Sequence, residues 1–330
     1  MSDSHTPSKF GFFQAAKRLG LTVAPYASIK GGTEKRRSVF RISNGDKELF
    51  TLGATLLSTS FIGMKIAADK ASTNEILRQQ GIPTTDQLLI SNPASLSAFY
   101  EQHQGDILLK PLASTVGKGV HGTLSSLEEA LTAYKAIQKD FTYVLAEKKI
   151  RGKEYRILVF EDRIIAVAEY IPPTLIGNGH DTILALIENH NQTITPESGL
   201  YPIPIKPELA HILGEQGLTL SMIPEGGIRV PLYLIAPISH GGAAIDVTDQ
   251  VHPENKAIFL EATQAIYLNV AGIDVITEDI SRPLKETGGV IIEINGGPDL
   301  SLHQYPVNRP TFDAAEAILR IYFSLPEQAI

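Results

Sequence analysis

The stretch VIIEINGGPDLSLHQYP, residues 290–306, begins as a buried strand and then presents two polar side chains that could bind a cation. Its first three residues are β-branched and apolar, which is typical of a buried strand. Glu293 and Asn295 follow, and strand residues two apart point to the same face. A carboxylate and an amide therefore leave the strand side by side. Two interpretations stay open from this pair alone: a strand end that reaches solvent, and a cation site built from oxygen ligands.

A further oxygen ligand lies one short loop upstream. Asp274 interrupts the otherwise apolar strand AGIDVIT, residues 271–277. If this strand pairs with the strand that carries Glu293, the oxygens of Asp274, Glu293 and Asn295 converge. Such a set, with no His or Cys nearby, selects a hard cation, Mg²⁺ or Mn²⁺. Magnesium completes its shell with water and phosphate, so the predicted site also calls for a nucleotide.

A glycine-rich loop could hold the phosphates of that nucleotide. Lys110 stands near the end of the predicted strand ILLKP (107–111), and the loop STVGKGVHG (114–122) follows. Glycines allow a loop's backbone N–H groups to approach an anion closely. The loop lacks the pattern G-x-x-x-x-G-K-[ST], so it is not a Walker loop. An ordinary surface turn is the alternative.

The run VLAEKKIRGKEYRILV, residues 144–159, joins a strand to a hairpin and could bind adenine and ribose. Glu147 stands at the end of the strand, and the backbone of the connection could contact an adenine edge. Glu154 and Arg156 share one strand face, where a carboxylate could accept hydrogen bonds from ribose hydroxyls. The alternative is a surface salt bridge between Glu154 and Arg156.

Composition narrows the class of protein. The chain has 330 residues with 43% hydrophobic and 20% charged residues, values of an ordinary globular protein. A net charge of −7 gives no support to nucleic-acid or anionic-membrane binding. Cysteine is absent, which excludes disulfides and thiolate chemistry. The N-terminus is polar and no apolar run approaches ~18 residues, so the sequence predicts a cytoplasmic protein without a signal peptide or membrane span.

Hydrophobic periodicity and turn signals predict the elements that position these residues. Helices are predicted at 10–20, 65–83, 96–103, 125–138, 182–191, 209–217, 252–269 and 311–323. Strands are predicted at 107–111, 143–150, 226–235, 271–277 and 288–294, with hairpins at 38–53 around Asn44-Gly45 and at 154–170. Because helices and hairpins alternate without a strict βαβ order, the fold class is predicted to be α+β.

Seven of these stretches together resemble the ATP-grasp ligases. The nearest resemblance is to the ATP-grasp domains of the cyanophycin synthetase and bifunctional glutathione synthetase families. It covers about residues 67–306 and is carried by ADKASTNEILRQQGIP, LLKPLASTVGKGV, EKKIRGKEYRILV, LIGNGHDTI, SHGGAAIDVTDQVHPEN, AGIDV and GGVIIEINGGPDLSLHQYP, in this order.

The resemblance implies an ATP-grasp fold, in which two α+β lobes enclose ATP after a small N-terminal α/β segment. The implied boundaries are 1–65 for the N-terminal region, 66–150 for the small lobe with its lid loop, and 151–330 for the C-terminal lobe with the magnesium site. Residue roles follow by position. The nucleotide would be bound by four sets of residues: Lys70 and Lys110 at the phosphates, Ser114, Thr115, Gly117 and Gly119 in the lid loop, Glu147 and the backbone at Lys148 and Ile150 at adenine, and Glu154 at ribose. Mg²⁺ (or Mn²⁺) would be held by Asp274, Glu293 and Asn295. Catalysis would depend on Arg156 and Lys110.

The chain departs from the family pattern before the motif SHGG. Tyr233 stands where relatives carry an arginine, Pro237 replaces an asparagine and His240 replaces a threonine. One positive charge near the transferred phosphate is therefore missing. His303 matches the family's H-x-x-P ending. Two roles stay open for it: placing the substrate, or a purely structural hydrogen bond.

The resemblance implies a stand-alone ATP-dependent carboxylate–amine ligase that joins amino acids or small peptides through an acyl phosphate and releases ADP and phosphate. A ligase that adds amino acids to a protein is an alternative, and a nucleotide-binding subunit without chemistry is another. Expected partners are small-molecule substrates, without nucleic acid or membrane, and the family resemblance is compatible with a homo-oligomer.

Overall fold

The computed structural model describes residues 11–30, 36–112, 122, 124–195, 200–233 and 241–326. Its α-helices are α1 (Phe12–Arg18), α2 (Phe61–Ala67), α3 (Lys70–Gln79), α4 (Pro93–Gln102), α5 (Leu127–Ile137), α6 (Ile183–Thr193), α7 (Pro207–Glu215), α8 (Pro253–Ala265), α9 (Leu284–Thr287) and α10 (Ala314–Tyr322). Its strands are β1 (Thr22–Lys30), β2 (Arg36–Ser43), β3 (Glu48–Leu52), β4 (Thr55–Leu56), β5 (Gln87–Ile90), β6 (Ile107–Pro111), β7 (Val144–Lys148), β8 (Lys153–Phe160), β9 (Arg163–Ile171), β10 (Thr174–Ile176), β11 (Arg229–Pro231), β12 (Ala243–Asp246), β13 (Val270–Thr277) and β14 (Val290–Asn295). None of the helices in these ranges is long and apolar enough to cross a membrane.

The chain divides into two compact units. Unit 1 comprises Met1–Phe50, Ile165–Thr248 and Asp299–Ile330, and unit 2 comprises Thr51–Ile164 and Asp249–Pro298. Helices and antiparallel strands are mixed along both units. The α+β class predicted from the sequence is therefore confirmed.

In unit 1, an antiparallel pair of strands packs with helix α1, which also contacts helix α10. β1 pairs with β2, and the following turn is fastened by Asn44, whose Oδ1 accepts the backbone N–H groups of Asp46 and Lys47 at 3.1 and 2.8 Å. Gly45 has φ 101°, a conformation that favours glycine, so the predicted Asn44-Gly45 turn is confirmed. Helix α1 packs on α10, where Arg18 forms an ion pair with Asp313.

A second layer of unit 1 has its own apolar core. β10 pairs antiparallel with β11, and β12 pairs antiparallel with β9. Helices α6 and α7 bury their apolar stripes against the β10–β11 pair. The fully buried side chains of this core include Ile183, Ile187, Leu209, Leu213 and Leu232. Both helices therefore follow the spacing of apolar residues in the sequence.

In unit 2, one sheet packs against two helices. β5, β7 and β6 form an antiparallel sheet in that order, and α4 and α5 cover it. Helix α5 begins where the sequence predicts, because Ser126 Oγ accepts the Glu129 N–H at 3.2 Å. The Glu129 carboxylate reaches back to the Ser125 N–H at 2.7 Å, one residue earlier than in a standard capping box.

A second antiparallel sheet of unit 2 carries the predicted metal ligands. β13 lies between β8 and β14, with Ile273 opposite both Ile157 and Ile294. These three isoleucines and the neighbouring Tyr155 and Val275 are buried on one face of the sheet. Their alternate residues take the other face. The apolar layer fixes the register and so decides which polar residues meet on the opposite face.

Several elements differ from the sequence prediction, among them β5, β10 and β12, which it did not contain. The helix predicted at 65–83 is two helices, because Asp69 adopts an extended conformation and its carboxylate accepts the Ser72 N–H at 2.8 Å as a helix cap. Strand β1 was not predicted, since TVAPYASIK has neither regular alternation nor a run of large apolar residues. The strand predicted at 226–235 extends only over Arg229–Pro231 among the described residues.

Candidate active site

The β13–β14 pair brings the three predicted metal ligands together. Asp274 lies directly opposite Glu293, and Gly272 lies opposite Asn295. The strand pairing that the sequence analysis required is therefore confirmed. Asn295 Nδ2 donates a hydrogen bond to Asp274 Oδ2 at 3.2 Å. A bulge follows Asp274 in the register, and such bulges commonly re-aim side chains next to functional sites.

Arg156 holds Asp274 with two parallel hydrogen bonds. The two residues are register partners on β8 and β13. Arg156 Nε donates to Asp274 Oδ1 at 2.6 Å, and Nη2 donates to Oδ2 at 3.1 Å. Both side chains are largely buried, at 14% and 8% exposure. A bidentate guanidinium–carboxylate pair of this kind fixes the orientation as well as the charge of both groups.

Lys70 makes the corresponding contact with Glu293. Lys70 is the first residue of α3, and its Nζ lies 3.0 Å from Glu293 Oε2. The Asp69 cap sets where this helix begins, and so it places Lys70 at the helix terminus beside β14. The structure thus brings a predicted phosphate ligand and a predicted metal ligand into direct contact.

Glu154 shares this face of the sheet with Arg156 and Asp274. Burial raises the pKa of Glu154 to about 7, with further contributions from the Asp274 and Glu293 charges that outweigh the opposing effect of Arg156. Burial likewise raises the pKa of Asp274 to about 6, although Arg156 and Lys70 act in the opposite direction. The cluster therefore carries more carboxylate than its two cations neutralise, and an added cation would favour the ionised forms.

The donor chemistry of this cluster fits magnesium. Asp274, Glu293 and Asn295 offer hard oxygen atoms on adjacent strands, as Mg²⁺ prefers. Within the described parts of the chain, no group of three or more His, Cys, Asp or Glu side chains could hold a metal ion. The predicted set has two carboxylates and one amide, so water and phosphate oxygens would complete a magnesium shell.

Lys110 and Glu147 form a second, deeply buried pair. They lie on the neighbouring strands β6 and β7, and Lys110 Nζ is 2.6 Å from Glu147 Oε1. Exposure of the two side chains is 12% and 6%. Glu147 Oε1 accepts no hydrogen bond in this arrangement, so its contact with Lys110 Nζ is an ion pair without hydrogen-bond geometry. Each charge depends on the other, because either charge alone would be costly at this depth.

The predicted adenine connection follows directly after β7. The backbone N–H of Lys148 already donates to Asp86 O at 2.9 Å, and its carbonyl accepts from Thr85 Oγ1 at 3.2 Å. The Lys148 side chain is exposed, and Ile150 is half-buried. The predicted lid residues Ser114, Thr115, Gly117 and Gly119 lie outside the described residues, as do Pro237 and His240.

Two positions in unit 1 bear on the sequence prediction. Tyr233, which stands in place of the family arginine, is buried in the α6–α7 core and its hydroxyl donates to Pro204 O at 3.3 Å. His303 is 3% exposed and lies in a short 3₁₀ helix, Leu300–His303. Tyr233 is therefore anchored by packing and a backbone hydrogen bond.

Sequence reasoning missed Gly272 as a residue of the candidate site. It stands two residues before Asp274 and lies under the Arg156 side chain. The available signal was a glycine inside an apolar strand, which often marks a close approach by another group.

The sequence and the fold of the chain were compared with those of known proteins. No protein-family model matches the chain. Cyanophycin synthetase of Trichormus variabilis is 35% identical over 270 residues, which are 80% of this chain and 30% of that protein. The glutathione biosynthesis bifunctional protein GshAB of Clostridium perfringens is 29% identical over 312 residues, 90% of this chain and 40% of that one. The chain thus spans well under half the length of these relatives.

A solved structure of a related protein has a similar fold. The crystal structure of a bifunctional glutathione synthetase from Pasteurella multocida superposes with a TM-score of 0.66 at 23% identity, over 95% of this chain and 43% of that one. This likeness concerns the fold. The chain therefore has the ATP-grasp fold that the sequence resemblance implied, and its sequence is similar to cyanophycin synthetase over four fifths of its length.

Proposed function

We propose that the chain is an ATP-dependent carboxylate–amine ligase that forms an amide bond and releases ADP and phosphate. The observation that carries the proposal is the meeting of Asp274, Glu293 and Asn295 with Arg156 and Lys70 on one sheet face. Oxygen ligands for a divalent cation and cations for phosphate are what a reaction between a carboxylate and a triphosphate requires. The names of the relatives, cyanophycin synthetase and a glutathione biosynthesis protein, support a ligase.

In this proposal Asp274, Glu293 and Asn295 hold magnesium, or manganese in its place. The ion would neutralise phosphate charge in the nucleotide and substrate complex. Lys70 and Lys110 bind phosphates, and Glu147 with the backbone near Lys148 and Ile150 accommodates adenine. Glu154 binds the ribose hydroxyls. The lid residues Ser114, Thr115, Gly117 and Gly119 keep their predicted role over the phosphates.

The chemistry takes place in two steps. An oxygen of the substrate carboxylate attacks the γ-phosphorus of ATP, the bond to the bridging oxygen breaks, and ADP leaves. The product is an acyl phosphate. The nitrogen of an amine then attacks the acyl carbon, the carbon–oxygen bond to phosphate breaks, and the amine loses a proton. Arg156 and Lys110 offset the repulsion between the carboxylate and the triphosphate in the first step.

Amino acids or small peptides are the proposed substrates, and the cytoplasm is the proposed compartment. Nucleic acid and membrane are not expected as partners, and a homo-oligomer is compatible with the proposal. Addition of amino acids to a protein substrate is a variant of the same chemistry.

Tyr233 favours a second candidate function, a nucleotide-binding subunit without ligase activity. It replaces a positively charged residue of the family with a buried, neutral one. Lys110 and Arg156 support the ligase instead, because both are held in place by buried acidic partners.

Release of ADP distinguishes the two candidates. The protein is mixed with Mg-ATP and a panel of amino acids, singly and in pairs, and ADP is measured against a Glu293→Gln control. A ligase releases ADP only with a matching acid or acid–amine pair. Binding of Mg-ATP without ADP release for any combination would favour the non-catalytic subunit.

A further inference from the structure

The Arg156 side chain occupies the space that a Cβ atom at Gly272 of β13 would need. A Cβ atom at this position would lie 2.9 Å from Arg156 Nη1, 3.3 Å from Arg156 Cδ and 2.9 Å from Pro298 Cβ. Distances under 3.0 Å essentially never occur for real Cβ atoms. Gly272 lies within a strand, where backbone conformation does not demand glycine. Space, rather than backbone conformation, is therefore what requires glycine here.

The guanidinium of Arg156 spans two positions of the same strand face. Its Nε and Nη2 donate to Asp274, and its Nη1 lies over Gly272, two residues earlier. An added methyl group would meet Arg156 Nη1, and a guanidinium that moved away from it would stretch or lose its two hydrogen bonds to Asp274, of 2.6 and 3.1 Å.

We propose that Gly272 is a positioning residue, which seats the Arg156 guanidinium so that it holds Asp274 with two hydrogen bonds and faces the nucleotide in a fixed orientation. The part that concerns the nucleotide rests on the proposed function. The part that concerns Arg156 and Asp274 does not, and it can be measured in the ligand-free protein.

A double-mutant cycle tests the proposal. The variants are Gly272→Ala, Arg156→Ala and the double variant, and Gly214→Ala is the control because a Cβ there meets nothing within 4 Å. Binding of Mg-ATP is measured by calorimetry. Gly272→Ala should weaken binding by about 10-fold or more, the scale of one lost charge-assisted hydrogen bond. In the Arg156→Ala background the same change should weaken binding by less than in the wild type, because only the contact with Pro298 Cβ remains.

The outcomes that contradict the proposal are specific. Binding within about twofold of wild type in Gly272→Ala would overturn it. So would equal losses from Gly272→Ala with and without Arg156, because the two residues would then act independently. Recovery of Mg-ATP binding in Gly272→Ala by Pro298→Gly would assign the contact to Pro298 and also overturn the proposal.

Urea unfolding of the ligand-free protein separates this proposal from the proposed function. Gly272→Ala should lower the unfolding midpoint more in the wild type than in the Arg156→Ala background, where only the contact with Pro298 Cβ remains. If wild type fails to bind Mg-ATP, the proposed function fails while this comparison still decides the role of Gly272. If Gly272→Ala does not fold alone, folding of the double variant at the Arg156→Ala midpoint supports the proposal, and failure of both contradicts it.

Discussion

Asp274 and Glu293 face each other across the β13–β14 pair, and each contacts a cation from a different element. Arg156 of β8 holds Asp274, and Lys70 of α3 contacts Glu293. The ligand-free protein therefore pairs each of these predicted metal ligands with a cation of its own. Binding of a metal–nucleotide complex would exchange the Lys70–Glu293 pair for magnesium and phosphate contacts, and the first predictions concern this exchange.

Glu293→Gln should abolish ligase turnover and leave the fold intact. The substitution keeps the size of the side chain and removes the charge that magnesium needs. Glu293 is 30% exposed, so its loss should change the unfolding midpoint little. Steady-state ADP release and a urea melt check both expectations. Wild-type turnover at saturating Mg²⁺ would remove Glu293 from the metal site.

Lys70→Met should weaken binding of Mg-ATP by about 10-fold, because a phosphate contact from a fixed ammonium is lost. Lys65→Met is the matched control, since Lys65 is also a lysine of a nearby helix but is exposed and lies 5.6 Å from the Phe61 ring. Calorimetry with Mg-ATP compares the two variants. Equal affinities for both would show that Lys70 only neutralises Glu293.

Lys110→Met should have two separate effects. Turnover should fall by about 100-fold or more, the scale for loss of one preorganised electrostatic group. The protein should also lose about 3 kcal/mol of stability, because Glu147 would be left charged and buried.

The double variant Lys110→Met/Glu147→Gln separates these effects. It should regain most of the stability, since no buried charge is left unpaired, but none of the activity. Urea unfolding and ADP release are measured on the same samples. Recovery of activity in the double variant would contradict a direct role for Lys110 in phosphate binding.

The stability of the ligand-free protein should fall as pH rises from about 4.5 to about 7. The pKa of Glu154 rises from 4.5 to about 7 on folding, so the folded state binds this proton more tightly than the unfolded state. This contribution is full below about pH 4.5 and is lost as pH rises through 7. It amounts to on the order of 3 kcal/mol.

Glu154→Gln should flatten the dependence of the free energy of unfolding on pH between about 4.5 and 7, the window set by the unfolded and folded pKa values of Glu154. Asp274 acts in the same direction with a pKa of about 6, so some dependence should persist below pH 6. Urea unfolding in the presence of EDTA measures both proteins. Identical slopes between pH 6 and 7, above the pKa of Asp274, would mean that Glu154 does not titrate in this range.

The sequence predicted the ligand strands of the candidate site better than the contacts around them. Glu293 and Asn295 could be placed on one face because strand periodicity is two and the preceding residues are apolar. Their pairing with Asp274 required only that two consecutive strands be neighbours, which is the common arrangement. The ion pairs with Lys70 and Arg156 could not be derived, because they depend on side-chain packing between elements distant in sequence.

The misassigned elements have local causes. Asp69 fits a helical pattern by spacing, but its carboxylate competes for backbone N–H groups and ends one helix while starting the next.

The close approach of Arg156 to Gly272 is a contact between strands that are far apart in the chain, so a single sequence shows only an unexplained glycine. The roles of the site residues stay predictions until a nucleotide complex or the variants above test them.

The fate of carboxylate oxygen during turnover tests the proposed mechanism most directly. The substrate acid is labelled with oxygen-18 and incubated with Mg-ATP and hydroxylamine, and the products are analysed by mass spectrometry. An acyl phosphate predicts a hydroxamate, ADP, and one labelled oxygen in the released phosphate. AMP and pyrophosphate, or unlabelled phosphate beside the hydroxamate, would contradict the mechanism.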